Sequence, residues 1–388
     1  PLVRRRAQAA RKDSLGKSLI ADLKNSGLIP EVLSPYDLQF FRSVNADPDA
    51  DDDADAARAE AEAASFALGG RNRWAIVAMD GNDMGRQFLA TRQWSEDRQQ
   101  QWLTRMSAGL THCTRESVLR GLGAALSLWT QEGSWAAQGL PEGRVILPFR
   151  PLVIGGDDIT LLCHAGLALP LVQEISHHFR ARSQELAETE KKNGIELWPA
   201  TSGALSISAG ILFCKTTFPL HIAIPYAESL LASAKGRYRN AGSSGPAPAA
   251  VDWDAVTDTM LDTPAARRNR ELRFIDLEID REIQLTDRPF SMDESLPDLL
   301  KLKAHLSRLP GSLRASILPG LRQPWSQRIR FLAAIGKRHE KLKDLLWEDP
   351  EGRPGSGWRE EGNRRITALP DALILLEEDH RMQQGKRA

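Results

Sequence analysis

Three aspartates, at two places in the chain, have the chemistry to bind divalent cations. Asp80 ends the apolar run WAIVAMD, and the pair Asp157–Asp158 follows two glycines between two further apolar runs. Mg²⁺ and Mn²⁺ prefer carboxylate oxygens, and a pair of such ions bridged by carboxylates is the usual centre for nucleotidyl transfer. If the fold brings these segments together, the aspartates supply a two-metal nucleotidyltransferase site.

Glycines beside these aspartates predict a place for a triphosphate. The loop GNDMG follows Asp80, and glycines without a Cβ let main-chain N–H groups approach phosphates at the start of a helix. Lys235, at the end of a predicted helix, adds a point charge for the β- or γ-phosphate. On these grounds the predicted nucleotide-binding residues are Gly81, Gly85, Gly155, Gly156 and Lys235.

The periodicity of the surrounding residues predicts the elements that position these groups. Residues 74–80 indicate a strand followed by a loop and a helical pattern that runs through Met106, and residues 117–129 indicate a second helix. Residues 152–163 indicate a β-hairpin with GGDD at its turn. A helix over 169–190, a strand over 205–214 and a helix over 222–235 follow. This order is that of a ferredoxin-like sheet, in which the first strand neighbours the hairpin, so Asp80 is expected beside Asp157 and Asp158.

The remaining segments divide the chain. Residues 1–70 are predicted to be a docking segment followed by an acidic linker at 47–62, 71–290 the palm domain, and 291–388 a helical domain. The Gly/Pro-rich stretch over 237–253 is predicted to be a loop. The fold class is therefore α+β: a ferredoxin-like palm of the nucleotide cyclase and polymerase type with a C-terminal helical domain.

Composition excludes several classes of protein. The 388 residues carry 51 Lys+Arg against 51 Asp+Glu, and 41% are hydrophobic, which argues against a disordered or collagenous chain. No apolar run reaches the ~20 residues of a membrane-spanning helix. The three cysteines have neither zinc-ligand nor disulfide-framework spacing, which favours the reducing cytoplasm.

Five segments together resemble the palm domain of the large (Cas-ten type) subunit of type III CRISPR effector complexes, and more closely its "second palm domain" relatives. They are IVAMDGNDMG, RPLVIGGDDITLLC, SAGILFCKTTFPLHIAIPYAESLLASAK, AAVDW and DRPFSMDE, within residues 72–300. The resemblance implies that Asp80, Asp157 and Asp158 hold two metals and that residues 82–85 and Lys235 meet the triphosphate. It also implies that ATP is joined 3′ to 5′ into cyclic oligoadenylate, an antiviral messenger.

The same resemblance implies partners. Two palms face each other in that family, so a homodimer or another palm-bearing subunit is expected to supply the second nucleotide site, with guide RNA and other effector subunits as further partners. No His-Asp dipeptide of the family's nuclease occurs in the chain, so DNA cleavage by such a domain is not predicted.

Three alternatives stay open. A diguanylate cyclase shares the sheet, but here Ile159 and Thr160 follow the hairpin turn in place of its usual residues. A viral-type RNA polymerase would need an aspartate where Gly85 stands. A catalytically silent palm, acting as a scaffold subunit in a ribonucleoprotein defence complex, has no chemical need of all three aspartates.

Overall fold

The structure is a computed structural model, and it describes residues 14–27, 38–40, 73–130, 145–201, 203–238, 247–257, 262–339 and 357–384. The chain divides into two compact units, Pro1–Thr259 with Arg381–Ala388, and Met260–His380. The acidic run predicted over 47–62, and most of the predicted docking segment, lie outside the described residues.

The first unit consists of a mixed sheet, a small separate pair of strands, and helices. Its strands are β1 (Leu38–Phe40), β2 (Arg73–Gly81), β3 (Val145–Leu147), β4 (Phe149–Gly155), β5 (Asp158–His164), β6 (Ile207–Lys215) and β7 (Ala250–Ala255). Its helices are α1 (Ser14–Asn25), α2 (Met84–Ala90), α3 (Glu96–Thr130), α4 (Ala168–Lys192) and α5 (Leu220–Tyr238).

The main sheet of this unit has its strands in the order β7-β6-β2-β5-β4. Strand β2 runs antiparallel to both β5 and β6, and β7 runs parallel to β6. The four strands β6, β2, β5 and β4, with α3 and α4 as crossovers, have the ferredoxin-like arrangement, so the predicted palm fold is confirmed.

Burial explains why β2 reads as a continuous apolar run. Residues 74–79 are all almost inaccessible to solvent, because the strand lies inside the sheet with neighbours on both edges. Helix α5 lies very close to β6 at Gly210, where an added Cβ would be 2.2 Å from the carbonyl oxygen of Ala227. Glycine at this position therefore sets how closely α5 can approach the sheet.

Two predicted elements of this unit differ from the structure. The loop predicted over 237–253 is wrong at its end, because residues 250–255 form β7 and pair with β6. The two helical stretches predicted after the first strand are also divided at a different place: the break falls between α2 and α3, and α3 then continues unbroken from Glu96 to Thr130 through the predicted separation between residues 106 and 117. Short apolar segments such as AAVDW become strands only when a sheet edge is available for pairing.

The second unit combines helices with a small sheet. Its helices are α6 (Pro264–Glu271), α7 (Ser295–Leu306), α8 (Gly311–Leu321), α9 (Trp325–Arg338) and α10 (Leu369–Gln384). Its strands are β8 (Arg273–Asp276), β9 (Arg281–Gln284), β10 (Phe290–Ser291), β11 (Trp358–Glu361) and β12 (Arg364–Thr367).

The predicted C-terminal helices are confirmed, but the expectation that the chain stays helical after residue 291 is wrong. Strands β11 and β12 form a sheet of order β11-β12-β9-β8 with the strands before the helices. This unit contains two buried ion pairs, Arg328 with Asp276 and Arg288 with Asp371. In neither unit is any helix of the described ranges both long enough and apolar enough to cross a membrane.

Candidate active site

The register of the sheet brings the three predicted metal-binding aspartates together. Met79 on β2 pairs with Ile159 on β5, so the next residue of β2, Asp80, lies opposite Asp158. Residues directly opposite each other on antiparallel strands project to the same face. The hairpin turn Gly156–Asp157 then places Asp157 beside Asp80 as well, because Gly155 pairs with Asp158 across a two-residue turn.

Crowding of like charges marks this site. Burial, followed by the negative charge and hydrogen bonding of Asp80, raises the pKa of Asp157 to about 6. Burial and the charge of Asp80, in the same order, also raise the pKa of Asp158. Carboxylates that repel one another in this way hold an excess of negative charge that a cation can relieve.

Lys235 provides a positive charge at this site. Its ammonium group is ion-paired with Oδ2 of Asp80 and donates a second hydrogen bond to the carbonyl oxygen of Gly81 (2.7 Å). The side chain of Lys235 is 18% exposed and that of Asp80 is 34% exposed. Lys235 therefore meets a metal-ligand candidate directly, whereas the sequence predicted that it meets a phosphate.

The three carboxylates have the chemistry of a metal site but are not arranged as one. In the part of the chain that the structure describes, no three His, Cys, Asp or Glu side chains are arranged to hold a metal ion as they stand. The chemistry of the three carboxylates fits Mg²⁺ or Mn²⁺, and their raised pKa values show the repulsion that such ions relieve. What differs from a ready cage is the position of Lys235, whose ammonium occupies one oxygen of Asp80.

Two of the predicted phosphate-contacting glycines have structural reasons to be glycine. A Cβ on Gly81 would lie 2.9 Å from both Cβ and Oδ2 of Asp157, so a larger residue at this position would clash with the Asp157 side chain. Gly156 has φ of +60°, in the left-handed region that favours glycine at a hairpin turn. In contrast, a Cβ on Gly85 or Gly155 would meet no atom within 4 Å, so both face open space that a ligand can reach.

The side chain of Asn82 is buried in a polar network and does not face solvent. Its amide nitrogen donates to Oγ of Ser206 (2.8 Å) and to the carbonyl oxygen of Pro248 (3.3 Å), and its amide oxygen accepts from Oγ of Ser208 (3.0 Å). The residue is only 6% exposed. The main-chain N–H of Asn82 also donates, to the carbonyl oxygen of Ser206 (2.9 Å). Both groups with which Asn82 could donate to a triphosphate are therefore engaged within the protein, and the residue anchors the loop to β6.

Asp83 and Met84 complete the loop. Asp83 has φ of 61°, and its Oδ2 accepts a hydrogen bond from the main-chain N–H of Ala247 (2.7 Å). Helix α2 begins at Met84, and the carbonyl oxygen of Asp83 accepts hydrogen bonds from the N–H groups of Arg86 (2.9 Å) and Gln87 (3.2 Å). The N–H groups of Met84 and Gly85 come too early in the helix to have an acceptor within it. Predicted nucleotide contacts at Asp83 and Met84 thus lie at the end of β2, next to Asp80.

Thr114 forms a hydrogen bond to the turn of the β4–β5 hairpin and was not predicted from the sequence. The hydroxyl of Thr114, in the middle of α3, donates to the carbonyl oxygen of Gly156 (2.5 Å). Arg115, the next residue, is ion-paired with Asp22 of α1, so the N-terminal helix is bound to the same stretch of α3. No spacing rule could reveal Thr114, because it lies 42 residues before the turn; Ser206 and Ser208, by contrast, were visible as alternating polar residues in a predicted strand.

Comparison with known proteins identifies this region of the chain. Residues 73–242 match the family model for Cas10/Cmr2, second palm domain. No curated protein matches the chain.

Similar solved structures include two of a Csm1-Csm4 cassette. The cassette in complex with cA4 is 13% identical with a TM-score of 0.41, over 81% of this chain and 37% of that chain. The cassette in complex with cA3 is 11% identical with a TM-score of 0.41, over 81% and 36%. The chain thus spans little more than a third of the length of these chains.

A third similar structure is the GGDEF domain of DgcB from Caulobacter crescentus in complex with c-di-GMP, which is 16% identical with a TM-score of 0.25 over 50% of this chain and 84% of that domain. The family match covers β2 to α5, which contain every predicted site residue. Residues 73–242 of this chain are therefore similar to the second palm domain of Cas10/Cmr2.

Proposed function

We propose that this protein is a metal-dependent nucleotidyltransferase that joins ATP 3′ to 5′ into cyclic oligoadenylate as an antiviral second messenger. The observation that carries the proposal is the convergence of Asp80, Asp157 and Asp158 at one end of the palm sheet, with raised pKa values for the last two. A structural sheet edge has no need of three carboxylates in contact, since their repulsion destabilises the fold.

The residues divide the chemistry between them. In the reaction the 3′-oxygen of one ATP forms a bond to the α-phosphorus of another, the bond from that phosphorus to the bridging oxygen breaks, and pyrophosphate leaves while the hydroxyl proton passes to solvent. Asp80, Asp157 and Asp158 would hold two Mg²⁺ or Mn²⁺ ions, which supply charge neutralisation and activation of the hydroxyl.

The open backbone at Gly85 and Gly155 lets a triphosphate approach without meeting a side chain. Lys235 exchanges its ion pair with Asp80 for a phosphate oxygen when the nucleotide binds. The ammonium then stabilises the charge that grows on the departing pyrophosphate.

Partners follow from the stoichiometry of the reaction. Two nucleotides must meet, and the family match covers one palm, so a second copy of this chain or another palm-bearing subunit supplies the opposite face. By the same family relation, the protein works in the cytoplasm with guide RNA and other effector subunits.

A silent palm that serves as a scaffold is the second candidate, and one observation favours it. The ion pair between Lys235 and Asp80 neutralises part of the site without any metal, as would suffice in a palm that has lost catalysis. The two candidates differ in whether the aspartates bind metal and whether product forms.

The test incubates the full chain with each labelled nucleoside triphosphate and Mn²⁺ or Mg²⁺, with and without co-purifying nucleic acid, and resolves products by mass spectrometry. Binding of Mn²⁺ is measured separately by electron paramagnetic resonance. The variant Asp157→Ala/Asp158→Ala is expected to lose product and Mn²⁺ binding but to keep its circular dichroism spectrum. The matched control Glu96→Ala/Asp97→Ala removes two adjacent exposed carboxylates from the first turn of α3.

Cyclic oligoadenylate that disappears only in the site variant supports the synthase, whereas a cyclic guanine dinucleotide would favour the diguanylate cyclase. Nucleotide and Mn²⁺ binding without product would point to a missing partner palm. A chain that binds neither Mn²⁺ nor nucleotide would be the scaffold.

A further inference from the structure

The helices α7, α8 and α9 of the second unit carry a strong excess of positive charge. Over residues 295–339 the sequence has nine Lys or Arg and one acidic residue, Asp298, although the whole chain is neutral. Some of these charges are paired: Lys301 with Asp298, Lys303 with Asp379, and Arg328 with Asp276. The remaining basic side chains make a local positive potential of the kind that attracts anionic partners.

A groove between α8 and α9 lies within this basic region. It has a volume of about 580 Å³ and is lined by Pro310, Ser312, Leu313, Ser316, Phe331, Ala334, Ile335, Arg338 and His339. The two helices pack closely at Gly320, where an added Cβ would lie 2.2 Å from the ring of Phe331. Two features therefore coincide in the groove: an aromatic ring in its wall, and a cationic rim without an acidic side chain among the lining residues.

Exposed basic side chains continue along the outer surface of α9. Arg330, Lys337 and Arg338 are exposed, and their spacing of seven and eight residues places them on one side of the helix. In the described part of the chain, none of the three has a carboxylate within ion-pair distance. Arg308, also exposed, stands two residues before Pro310 at the mouth of the groove.

We infer that the groove between α8 and α9, with the basic side of α9, binds a single-stranded nucleic acid. A row of arginines and lysines follows the phosphate backbone, and a half-buried aromatic ring beside hydroxyl groups offers a base a surface on which to stack. A double helix presents no unstacked base to such a groove. An acidic protein segment would use the charges but not the ring of Phe331, so the aromatic wall favours the nucleic acid.

This inference is independent of catalysis by the aspartates, because every residue that carries it lies in the second unit. A silent scaffold palm and an active synthase would each retain the surface. Failure of the product assay therefore leaves this inference standing, and its own failure leaves the synthase standing.

The test measures the fluorescence anisotropy of a labelled 15-nucleotide oligo-U RNA, an oligo-dT DNA of the same length and a 15-base-pair duplex with the full chain. Single strands are expected to bind at least tenfold more tightly than the duplex. Three or four phosphate contacts predict that the affinity for single strands falls by roughly 20- to 50-fold between 50 and 200 mM salt. The RNA and DNA arms distinguish the two sources of the strand.

The decisive variant is Lys337→Glu/Arg338→Glu in the last turn of α9, which is expected to weaken binding at least tenfold and to flatten the salt dependence. Its matched control is Lys191→Glu/Lys192→Glu, an identical charge change in the last turn of α4, where both side chains are also exposed. Phe331→Leu keeps an apolar side chain in the groove and is expected to weaken single-strand binding several-fold while leaving the salt slope unchanged.

Several results would overturn the inference. The inference is wrong if single strands do not bind at 50 mM salt. It is also wrong if the decisive variant and the control variant lose the same amount of affinity for single strands. Displacement of the oligonucleotide by polyglutamate, as effective per charge as by unlabelled RNA, would show a site for acidic protein instead. Circular dichroism and melting temperature confirm that each variant is folded.

Discussion

Replacing Asp157 with asparagine should make the metal-free protein more stable at neutral pH. The pKa of Asp157 is raised from its ordinary value of 3.8 to about 6 by burial and by the neighbouring Asp80. The folded protein therefore binds this proton more tightly than the unfolded chain, so the fold loses stability as the pH rises from about 4 to about 6, and the loss is complete above that range. Asparagine resembles the neutral acid in shape and has no charge to bury.

The size of the effect follows from the pKa difference of about 2, which corresponds to about 3 kcal/mol as an upper limit. The side chain is only partly buried, and water screens part of the repulsion. We therefore expect Asp157→Asn to stabilise the first unit by about 1–2 kcal/mol at pH 7.5, which raises its melting temperature by roughly 2–8 °C. The gain should be absent near pH 4, where the carboxyl group is protonated in the folded protein.

Differential scanning calorimetry in EDTA at pH 7.5 and pH 4 measures both arms. The control is Glu196→Gln, which neutralises an exposed carboxylate of the same unit and should change the melting temperature little at either pH. A variant that is not more stable at pH 7.5, or whose gain is the same at both values of pH, would refute the account in which burial and the neighbouring Asp80 destabilise the ionised Asp157.

Two further changes test the scaffold of the site. Gly210→Ala should lower the free energy of unfolding by several kcal/mol in urea, because its Cβ would lie 2.2 Å from the main chain of α5. The control Gly85→Ala, whose Cβ would meet no atom within 4 Å, should leave the stability unchanged. Equal effects of the two substitutions would contradict the close contact of α5 with β6. Asn82→Ala should lower the free energy of unfolding by about 1–3 kcal/mol and also weaken Mn²⁺ binding, because Ser208 and Pro248 lose their hydrogen-bond partner. The control Asn193→Ala, at the exposed end of α4, should change neither quantity. If Asn82→Ala lost triphosphate affinity without losing stability, the Asn82 amide would contact the ligand instead.

Much of the palm was readable from local patterns. The run over 74–80, the GGDD turn and the amphipathic helix over 169–190 each have strong local signals, and all lie within a residue or two of the observed elements. The turn is especially local, since Gly156 adopts a left-handed conformation that glycine favours. The strand over 250–255 was missed because its pairing partner, β6, lies some forty residues earlier in the chain.

The residues of the site also fall into those that local sequence patterns predicted and those whose contacts depend on distant parts of the chain. Aspartates beside glycines at two turns predicted carboxylates that converge, because strand order in this fold is tied to element order. The contact of Lys235 with Asp80, the burial of Asn82 and the hydrogen bond from Thr114 to Gly156 had no local signal. Each joins residues separated by more than forty positions.

The sequence by itself determined which groups could do chemistry, which strands end in carboxylates and where the chain turns, because these depend on residue types and on neighbours a few positions away. Only the tertiary structure decided which of those groups touch: it took the Asn82 side chain into the interior, and it placed the Lys235 ammonium on Asp80. Burial and pairing depend on packing between distant segments, and the charge repulsion that raises the pKa of Asp157 appears only once that packing exists.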